Sequence, residues 1–179
     1  LLNRLAEGIH SIADNYDVVI IDPPPALGAI SLSVLRAANA LVVPLPPTVM
    51  DFSSTAAFLA MLDETLETLS RHGYEPDLTF LRFLASKVDE NKSMHREMLD
   101  LFRSLFGHDL IRAPLKDSAE IDNATARLMT VYELSGPVTS KAVRDRCLAY
   151  LEAVNSEIET EIRKTWPSHA EALRKSALA

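Results

Sequence analysis

The sequence has little of what disulfide-bonded, membrane-embedded or metal-clustered proteins depend on. Cys147 is the one cysteine among 179 residues, so an internal disulfide is excluded. No apolar run approaches the ~20 residues that a membrane-spanning helix needs. The five histidines do not have the mutual spacing of metal ligands, and we interpret them as surface or structural residues. We therefore expect a cytoplasmic protein that makes no membrane contact.

Glycine is also scarce, and its distribution excludes a phosphate-binding loop within this chain. Such a loop needs closely spaced glycines followed by a lysine, because its backbone N–H groups surround the phosphates. The glycines lie far apart and none directly precedes a lysine: Gly8, Gly28, Gly73, Gly107 and Gly136. We expect this chain alone to have no useful affinity for ATP and Mg²⁺.

The remaining composition is ordinary for a folded domain. Apolar residues make up 47% and charged residues 24% of the chain, which is long enough to bury one sizeable core. The formal net charge of -7 excludes a uniformly basic surface, so nucleic-acid binding would need a local basic patch. The chain opens on Leu1 and Leu2 inside a predicted helix, and we interpret it as part of a longer protein.

Short apolar runs alternate with helical patterns, which predicts an α/β fold with a mostly parallel sheet flanked by helices. Strands are predicted at residues 17–22, 40–45, 78–85 and 110–111. Helices are predicted at residues 2–14, 29–38, 51–71, 94–105, 118–129 and 143–162. Cys147 falls in the apolar stripe of the last helix, so we interpret it as a small buried hydrophobe. We expect one domain over residues 1–165 and a tail over residues 166–179.

An acid follows the first predicted strand and is the clearest candidate for a functional residue. Four apolar residues in a row before Asp22 predict a strand that is covered on both faces. Ligands of open α/β sheets bind beyond the carboxyl ends of strands, where Asp22 could hold Mg²⁺ directly or through water. The alternative is that Asp22 caps the next helix. The following loop is stiffened by prolines and could sense a phosphate: Pro23, Pro24, Pro25 and Gly28.

Several segments together resemble one protein family. Residues 16–28, with their Asp-Pro-Pro-Pro stretch, resemble the Walker B segment of the ParA-type partition ATPases. Residues 40–47 resemble the next strand of that family, and residues 50–55 resemble its RepA branch, found on alphaproteobacterial plasmids. Residues 114–124 resemble the segment near the purine. The resemblance implies a P-loop NTPase fold of the deviant Walker type, represented here by a carboxy-terminal portion and incomplete at its amino end.

The same resemblance implies a function in plasmid partition, that is, in DNA segregation. Members of the family are ATP- and Mg²⁺-dependent, form nucleotide-gated homodimers, bind nonspecific DNA on the nucleoid and act with a centromere-binding partner. RepA-like members also repress their own operon. The family's signature lysine and catalytic aspartate precede the matching segment, so no catalytic residue is assigned here. The different hypothesis is a truncated, non-catalytic interaction module that binds the partner or dimerises without nucleotide.

The resemblance also implies the purine side of a nucleotide site. Residues 86–89, Ser-Lys-Val-Asp, partly match the Asn-Lys-x-Asp guanine motif of GTPases. The corresponding loop of ParA relatives faces adenine, so we favour ATP; the alternative is a solvated loop at a strand end. The predicted nucleotide-binding residues are Ser86, Lys87, Pro114, Leu115 and Asp117.

Three basic residues near the start of the last predicted helix are the candidates for DNA contact. They are Lys141, Arg144 and Arg146. Contacts to DNA phosphates require positive charge but no sharp motif. The alternative is a solvated face of mixed charge, because acids such as Asp145 and Glu152 lie between and after these bases.

Overall fold

The computed structural model describes residues 3–24, 28–71, 73 and 78–166. In chain order the elements are α1 (Arg4–Ser11), a 3₁₀ turn (Ala13–Asn15), α2 (Ala29–Ala37), β1 (Ala40–Leu45), α3 (Val49–Arg71), β2 (Phe80–Ala85), α4 (Ser93–Phe106), a second 3₁₀ turn (Gly107–Asp109), α5 (Ala119–Thr125) and α6 (Lys141–Thr165). The chain divides into two compact units, Leu1–Leu41 with Ala56–Leu81 and Val42–Thr55 with Arg82–Ala179.

The two strands β1 and β2 pair in parallel. Thr79 N donates to Asn39 O at 2.7 Å at one end, and Ser86 N donates to Leu45 O at 3.0 Å at the other. Parallel strands cannot be joined by a tight hairpin, and here the connection contains α3. Parallel bridges from Phe83 to Leu110 and from Val88 to Lys116 extend the pairing. The predicted α/β class with a parallel sheet is confirmed.

Residues 17–22, the predicted first strand, form no regular strand. Val18 and Val19 are each 43% exposed, and Ile20 is 90% exposed. A strand needs hydrogen-bonding partners on at least one side, and within the described part of the chain no strand pairs with this run. The prediction of a buried strand is therefore wrong, and Asp22 lies exposed in an irregular segment.

In the first unit, α1 and α2 pack against each other. Helix α2 buries Val34 and Leu35, while α3 buries Leu62 and Leu69 within a longer apolar stripe. The remaining helices were also predicted, although α5 ends at Thr125, before the expected limit of residue 129.

The second unit contains an aromatic core on α4. Phe102 is fully buried and its ring centroid lies 5.9 Å from that of Phe52. Phe83 of β2 stacks on Phe106 with centroids 4.0 Å apart. Gly107 then adopts a φ of 51°, a left-handed conformation that ends the helix where the sequence predicted its end.

A smaller core joins α5, the segment after it and α6. It consists of buried residues from all three: Ala124, Val131, Leu134 and Cys147. Cys147 is 1% exposed, so its interpretation as a buried hydrophobe is confirmed. No helix in the described ranges is long and apolar enough to cross a membrane. The predicted tail lies, apart from Trp166, outside the described residues, and the single-domain boundary stays a prediction.

Candidate functional site

Two loops meet at the carboxyl ends of adjoining parallel segments in the second unit. We call residues 86–92 the first loop and residues 114–118 the second loop. Leu115 N donates to Ala85 O at 2.8 Å, Val88 N to Leu115 O at 3.1 Å, and Asp117 N to Val88 O at 3.0 Å. These bonds bring together the two segments that carry the five predicted nucleotide-binding residues.

The first loop turns sharply at Lys87. Its φ of 53° lies in the left-handed region, which costs a residue with a side chain about 1–2 kcal/mol. The turn leaves Lys87 exposed between Ser86 and Val88, which are both buried. The loop is thus held in a specific shape by the pairing on either side of it.

Asp89 and His95 fix the rest of the first loop. Asp89 Oδ1 accepts hydrogen bonds from the backbone N–H and the side-chain amide of Asn91, both at 3.0 Å. The backbone bond from Asn91 is the main cause that holds the pKa of Asp89 below its ordinary value. His95 Nδ1 accepts from Asp89 N at 3.0 Å, so this histidine has the structural role that the sequence predicted.

A cleft of about 590 Å³ opens beside the two loops and α6. Its walls combine apolar side chains with acids, amides and bases. They come from the first loop (Val88, Asp89, Glu90, Asn91), from the second loop and α5 (Lys116, Asp117, Ser118, Ala119, Asp122) and from α6 (Val143, Arg146, Cys147, Tyr150). Asp117 is the predicted nucleotide-binding residue that lines the cleft. Ser86, Lys87, Pro114 and Leu115 are not among the lining residues, although each lies within two positions of one that is.

Lys116 contacts both the first loop and α6. Its Nζ lies 2.6 Å from Glu90 Oε2 and 4.7 Å from the centre of the Tyr150 ring. The hydrogen bond to Glu90 is the largest cause that raises the pKa of Lys116, and Tyr150 adds to it. The ammonium group therefore stays charged at neutral pH. Sequence reasoning passed over Lys116 although it lies between two predicted residues, Leu115 and Asp117.

Glu120 holds the segment between α5 and α6 in place through hydrogen bonds. Its carboxylate is fully buried and accepts hydrogen bonds from Val138 N at 3.2 Å, from Thr139 N at 2.8 Å and from the Thr139 hydroxyl. The bonds from Thr139 are the main cause that lowers the pKa of Glu120. Sequence reasoning gave no signal for this residue, because its bonding partners are far from it along the chain.

The three predicted DNA contacts lie in different environments on α6. Lys141 and Arg146 are exposed, and Arg146 lines the cleft. Arg144 is half-buried, and its Nη2 donates to Leu134 O at 2.7 Å. The guanidinium of Arg144 is therefore engaged with its own chain.

Asp22 and the neighbouring prolines belong to the first unit, whereas both loops and α6 belong to the second. Asp22, Pro23 and Pro24 are exposed, Gly28 precedes α2, and Pro25 lies outside the described residues. Over the described ranges, no three His, Cys, Asp or Glu side chains come together as a metal site. The roles of Asp22 as a Mg²⁺ ligand and of this loop as a switch stay predictions.

Comparison with known proteins shows what this chain is similar to. Residues 2–74 match a family model described as an AAA domain. A protein named as a candidate replication protein A from Rhizobium rhizogenes is 34% identical over 163 residues, which are 91% of this chain and 40% of that protein. SopA of Escherichia coli K12 is 32% identical over 133 residues, covering 74% of this chain and 33% of SopA.

A solved structure is also similar to this chain. A chain titled a partition protein superposes with a TM-score of 0.66 at 28% identity, covering 86% of this chain and 38% of the solved one. This chain thus spans about 40% or less of the length of these relatives.

Proposed function

Because this chain belongs to the ParA-type partition ATPase family and resembles its RepA-like members, we propose that it forms the purine side and the DNA-facing side of a nucleotide-gated plasmid-partition protein. The complete protein would bind ATP with Mg²⁺, dimerise, bind nonspecific DNA on the nucleoid in the cytoplasm and act with a centromere-binding partner. It would also repress its own operon, as the RepA resemblance implies.

The observation that carries this proposal is the convergence of the first and second loops. Both loops lie at the carboxyl ends of parallel segments, which is where open α/β sheets bind their ligands. The adjoining cleft offers hydrogen-bond acceptors and donors, including Asp117 and Asn91, next to apolar surface from Val143 and Tyr150. A purine needs such a combination of edge partners and apolar faces.

The residues present suit a base but do not hold the phosphates. A phosphate cradle requires closely spaced backbone N–H groups and a lysine, and the glycines of this chain do not provide them. When bound, Mg²⁺ would neutralise charge on the phosphates, and Asp22 is the residue of this chain proposed to hold it. The phosphate-binding loop must therefore come from sequence outside these 179 residues.

Two exposed bases on α6 are proposed to carry the DNA contact. Lys141 and Arg146 are free to meet phosphates, whereas Arg144 holds the carbonyl of Leu134. We infer that Arg144 supports this surface and that Lys141 and Arg146 supply the charge that DNA binding requires.

A completed protein, in which a phosphate-binding loop precedes this segment, tests the proposal. Asp117→Ala should weaken ATP binding about tenfold and reduce retention of a plasmid that depends on the protein, since a bidentate or charged contact to the base is lost. The matched control is Asp63→Asn on the exposed face of α3, which should leave both unchanged. Equal ATP affinity for Asp117→Ala and the unaltered protein would contradict a purine site at these loops.

One observation favours the second hypothesis, an interaction module that works without nucleotide. Val18, Val19 and Ile20 leave apolar side chains exposed in an irregular segment. Expressing this chain in cells that depend on a partition protein with the same segment would reveal such a module, because it would compete for the partner and lower plasmid retention. A chain with Val18, Val19 and Ile20 changed to Ser is the matched control for that competition.

A further inference from the structure

We propose that Lys116 is a positioning residue that links the first and second loops to α6, so that occupancy of the cleft changes the placement of the basic residues on that helix. This inference rests on the proposed function, because it names how the nucleotide side and the DNA side of the protein would communicate. It concerns a residue that sequence reasoning did not select.

The contacts of Lys116 span three parts of the second unit. Its backbone lies in the second loop and forms a parallel bridge with Val88 of the first loop. Its ammonium is bonded to Glu90 of the first loop at 2.6 Å and lies 4.7 Å from the ring of Tyr150 on α6. A cation at this distance from an aromatic ring is attracted to its face. Lys116 thus contacts the first loop and α6 from its position in the second loop.

The helical register places Tyr150 directly beside the proposed DNA contact. Tyr150 follows Arg146 by four residues, so the two lie on one face of α6, and both line the cleft. Val143 and Cys147 complete the same face. A displacement of the Tyr150 ring would therefore also shift Arg146, which lies one helical turn away.

The two halves of α6 make different polar contacts with the rest of the second unit. In the carboxyl half, Glu157 accepts from Arg112 N and Ala113 N, both at 2.9 Å, and Glu161 lies 2.8 Å from Arg82 of β2. These contacts tie that half to the sheet edge. In the amino half the polar ties to other elements include Lys116 with Tyr150 and Arg144 with Leu134 O. The amino half can thus respond to the second loop while the carboxyl half stays in place.

The position of Lys116 makes it sensitive to a bound ligand. It directly precedes Asp117, and both line the cleft together with Glu90. A ligand that contacts Asp117 or competes for Glu90 would shift the second loop or redirect the ammonium. The side chain of Lys116 is 25% exposed and that of Glu90 is 52% exposed, so the pair is partly screened and can exchange partners.

The test measures the DNA affinity of the completed protein with and without ATP, and its ATP affinity separately. The unaltered protein should bind DNA more tightly with ATP, by at least the roughly fivefold that is usual for coupled sites. Lys116→Met, which keeps the apolar stem, should bring that ratio close to one while ATP affinity changes less than about threefold. Lys116→Arg, which keeps a cation able to pair and to stack, should retain most of the ratio.

Arg103→Met is the matched control, because Arg103 is an exposed base of α4, outside both loops and α6, that pairs with Asp100 at 2.8 Å. It should leave both the ratio and the ATP affinity unchanged. A normal ratio in Lys116→Met would overturn the inference. If ATP had no effect on DNA binding by the unaltered protein, the proposed function would fail. The contact of Lys116 with α6 would then be tested by a measurement on this chain that involves neither ATP nor DNA.

Hydrogen exchange of this chain provides that second measurement. In Lys116→Met the amides of residues 143–150 should exchange faster, while those of residues 154–162 should be unaffected, because the carboxyl half keeps its own contacts. Unchanged exchange at residues 143–150 would show that Lys116 does not hold the helix, whatever the fate of the proposed function.

Discussion

At the scale of single residues, one buried carboxylate and one half-buried guanidinium hold the segment between α5 and α6. Glu120 binds the backbone at Val138 and Thr139, and Arg144 binds the carbonyl of Leu134. Each satisfies backbone groups of a segment that forms neither helix nor strand, where buried N–H and C=O groups need other partners. The shape of this part of the molecule therefore depends on a few charged side chains.

Glu120→Gln should lower the stability of the protein at pH 7 and make that stability less dependent on pH in the acid range. The folded-state pKa of Glu120 lies below its ordinary value of 4.5, so its contribution is present above that pH and is lost as the pH falls through the lower folded-state pKa. Urea unfolding midpoints from pH 7 to pH 3 would show it. The variant should start lower at pH 7 and fall less steeply, with Glu152→Gln on exposed α6 as control. Parallel curves for the variant and the unaltered protein would contradict this role.

Asp22→Ala in the completed protein should abolish Mg²⁺-dependent ATP hydrolysis and leave the fold largely intact. The residue is exposed, and surface substitutions usually change stability by less than about 0.5 kcal/mol. Hydrolysis assays and thermal unfolding should be run together, with Asp14→Ala in the neighbouring 3₁₀ turn as the control. Hydrolysis at the parental rate would leave Asp22 with no metal role.

At the scale of elements, α6 differs in its surroundings along its length. Its amino half carries Lys141 and Arg146 on the surface, its middle lines the cleft through Tyr150, and its carboxyl half is tied to β2 through Glu161. Acids and bases alternate along the exposed side, which lowers the net charge that DNA would meet. The proposed contact between these bases and DNA would therefore be local.

Replacing Lys141, Arg144 and Arg146 together by Glu in the completed protein should weaken ATP-dependent binding to nonspecific DNA. Each lost phosphate contact should reduce the slope of log affinity against log salt by about 0.9. The structure separates the three: Lys141→Glu with Arg146→Glu should reproduce the loss of slope, because these two are exposed. An unchanged slope in the double variant would place the DNA surface elsewhere on the protein.

Arg144→Ala is the informative comparison on the same helix. It should leave the salt slope nearly unchanged but destabilise the fold by about 1–3 kcal/mol, since the carbonyl of buried Leu134 loses its donor. Thermal unfolding of this chain measures that loss directly. A stable Arg144→Ala variant with a reduced salt slope would instead return Arg144 to the DNA surface.

At the scale of the whole molecule, the glycines of this chain do not provide the loop that would hold phosphates, so the proposed nucleotide site is incomplete within these 179 residues. The 179 residues match less than half of each relative reported above. Binding energy for ATP in P-loop proteins depends strongly on backbone contacts to the phosphates. The purine-side loops alone would provide only a small part of it.

Isothermal titration of this chain with ATP and Mg²⁺ should therefore show no binding in the micromolar range. Adenosine should bind about as weakly as ATP, because the chain offers contacts to the base and none to the triphosphate. Micromolar affinity for ATP would contradict this expectation and would mean that phosphates are held by groups other than a glycine-rich loop.

The amino-acid sequence alone determined most helices, both paired strands, the role of Cys147 and the family. These follow from local periodicity and from short motifs, which depend on neighbours along the chain. The helix end at Gly107 belongs to the same class, because a left-handed residue needs no tertiary partner.

Only the tertiary structure decided which residues meet at the cleft and which do not. The run before Asp22 has the composition of a buried strand, yet it is exposed here because a strand forms only with a hydrogen-bonding neighbour. Glu120, Lys116 and Arg144 act through partners 10 to 34 positions away, at Leu134, Thr139 and Tyr150, and no local pattern encodes such distances. Long-range contacts of single charged side chains therefore had to be seen in the fold.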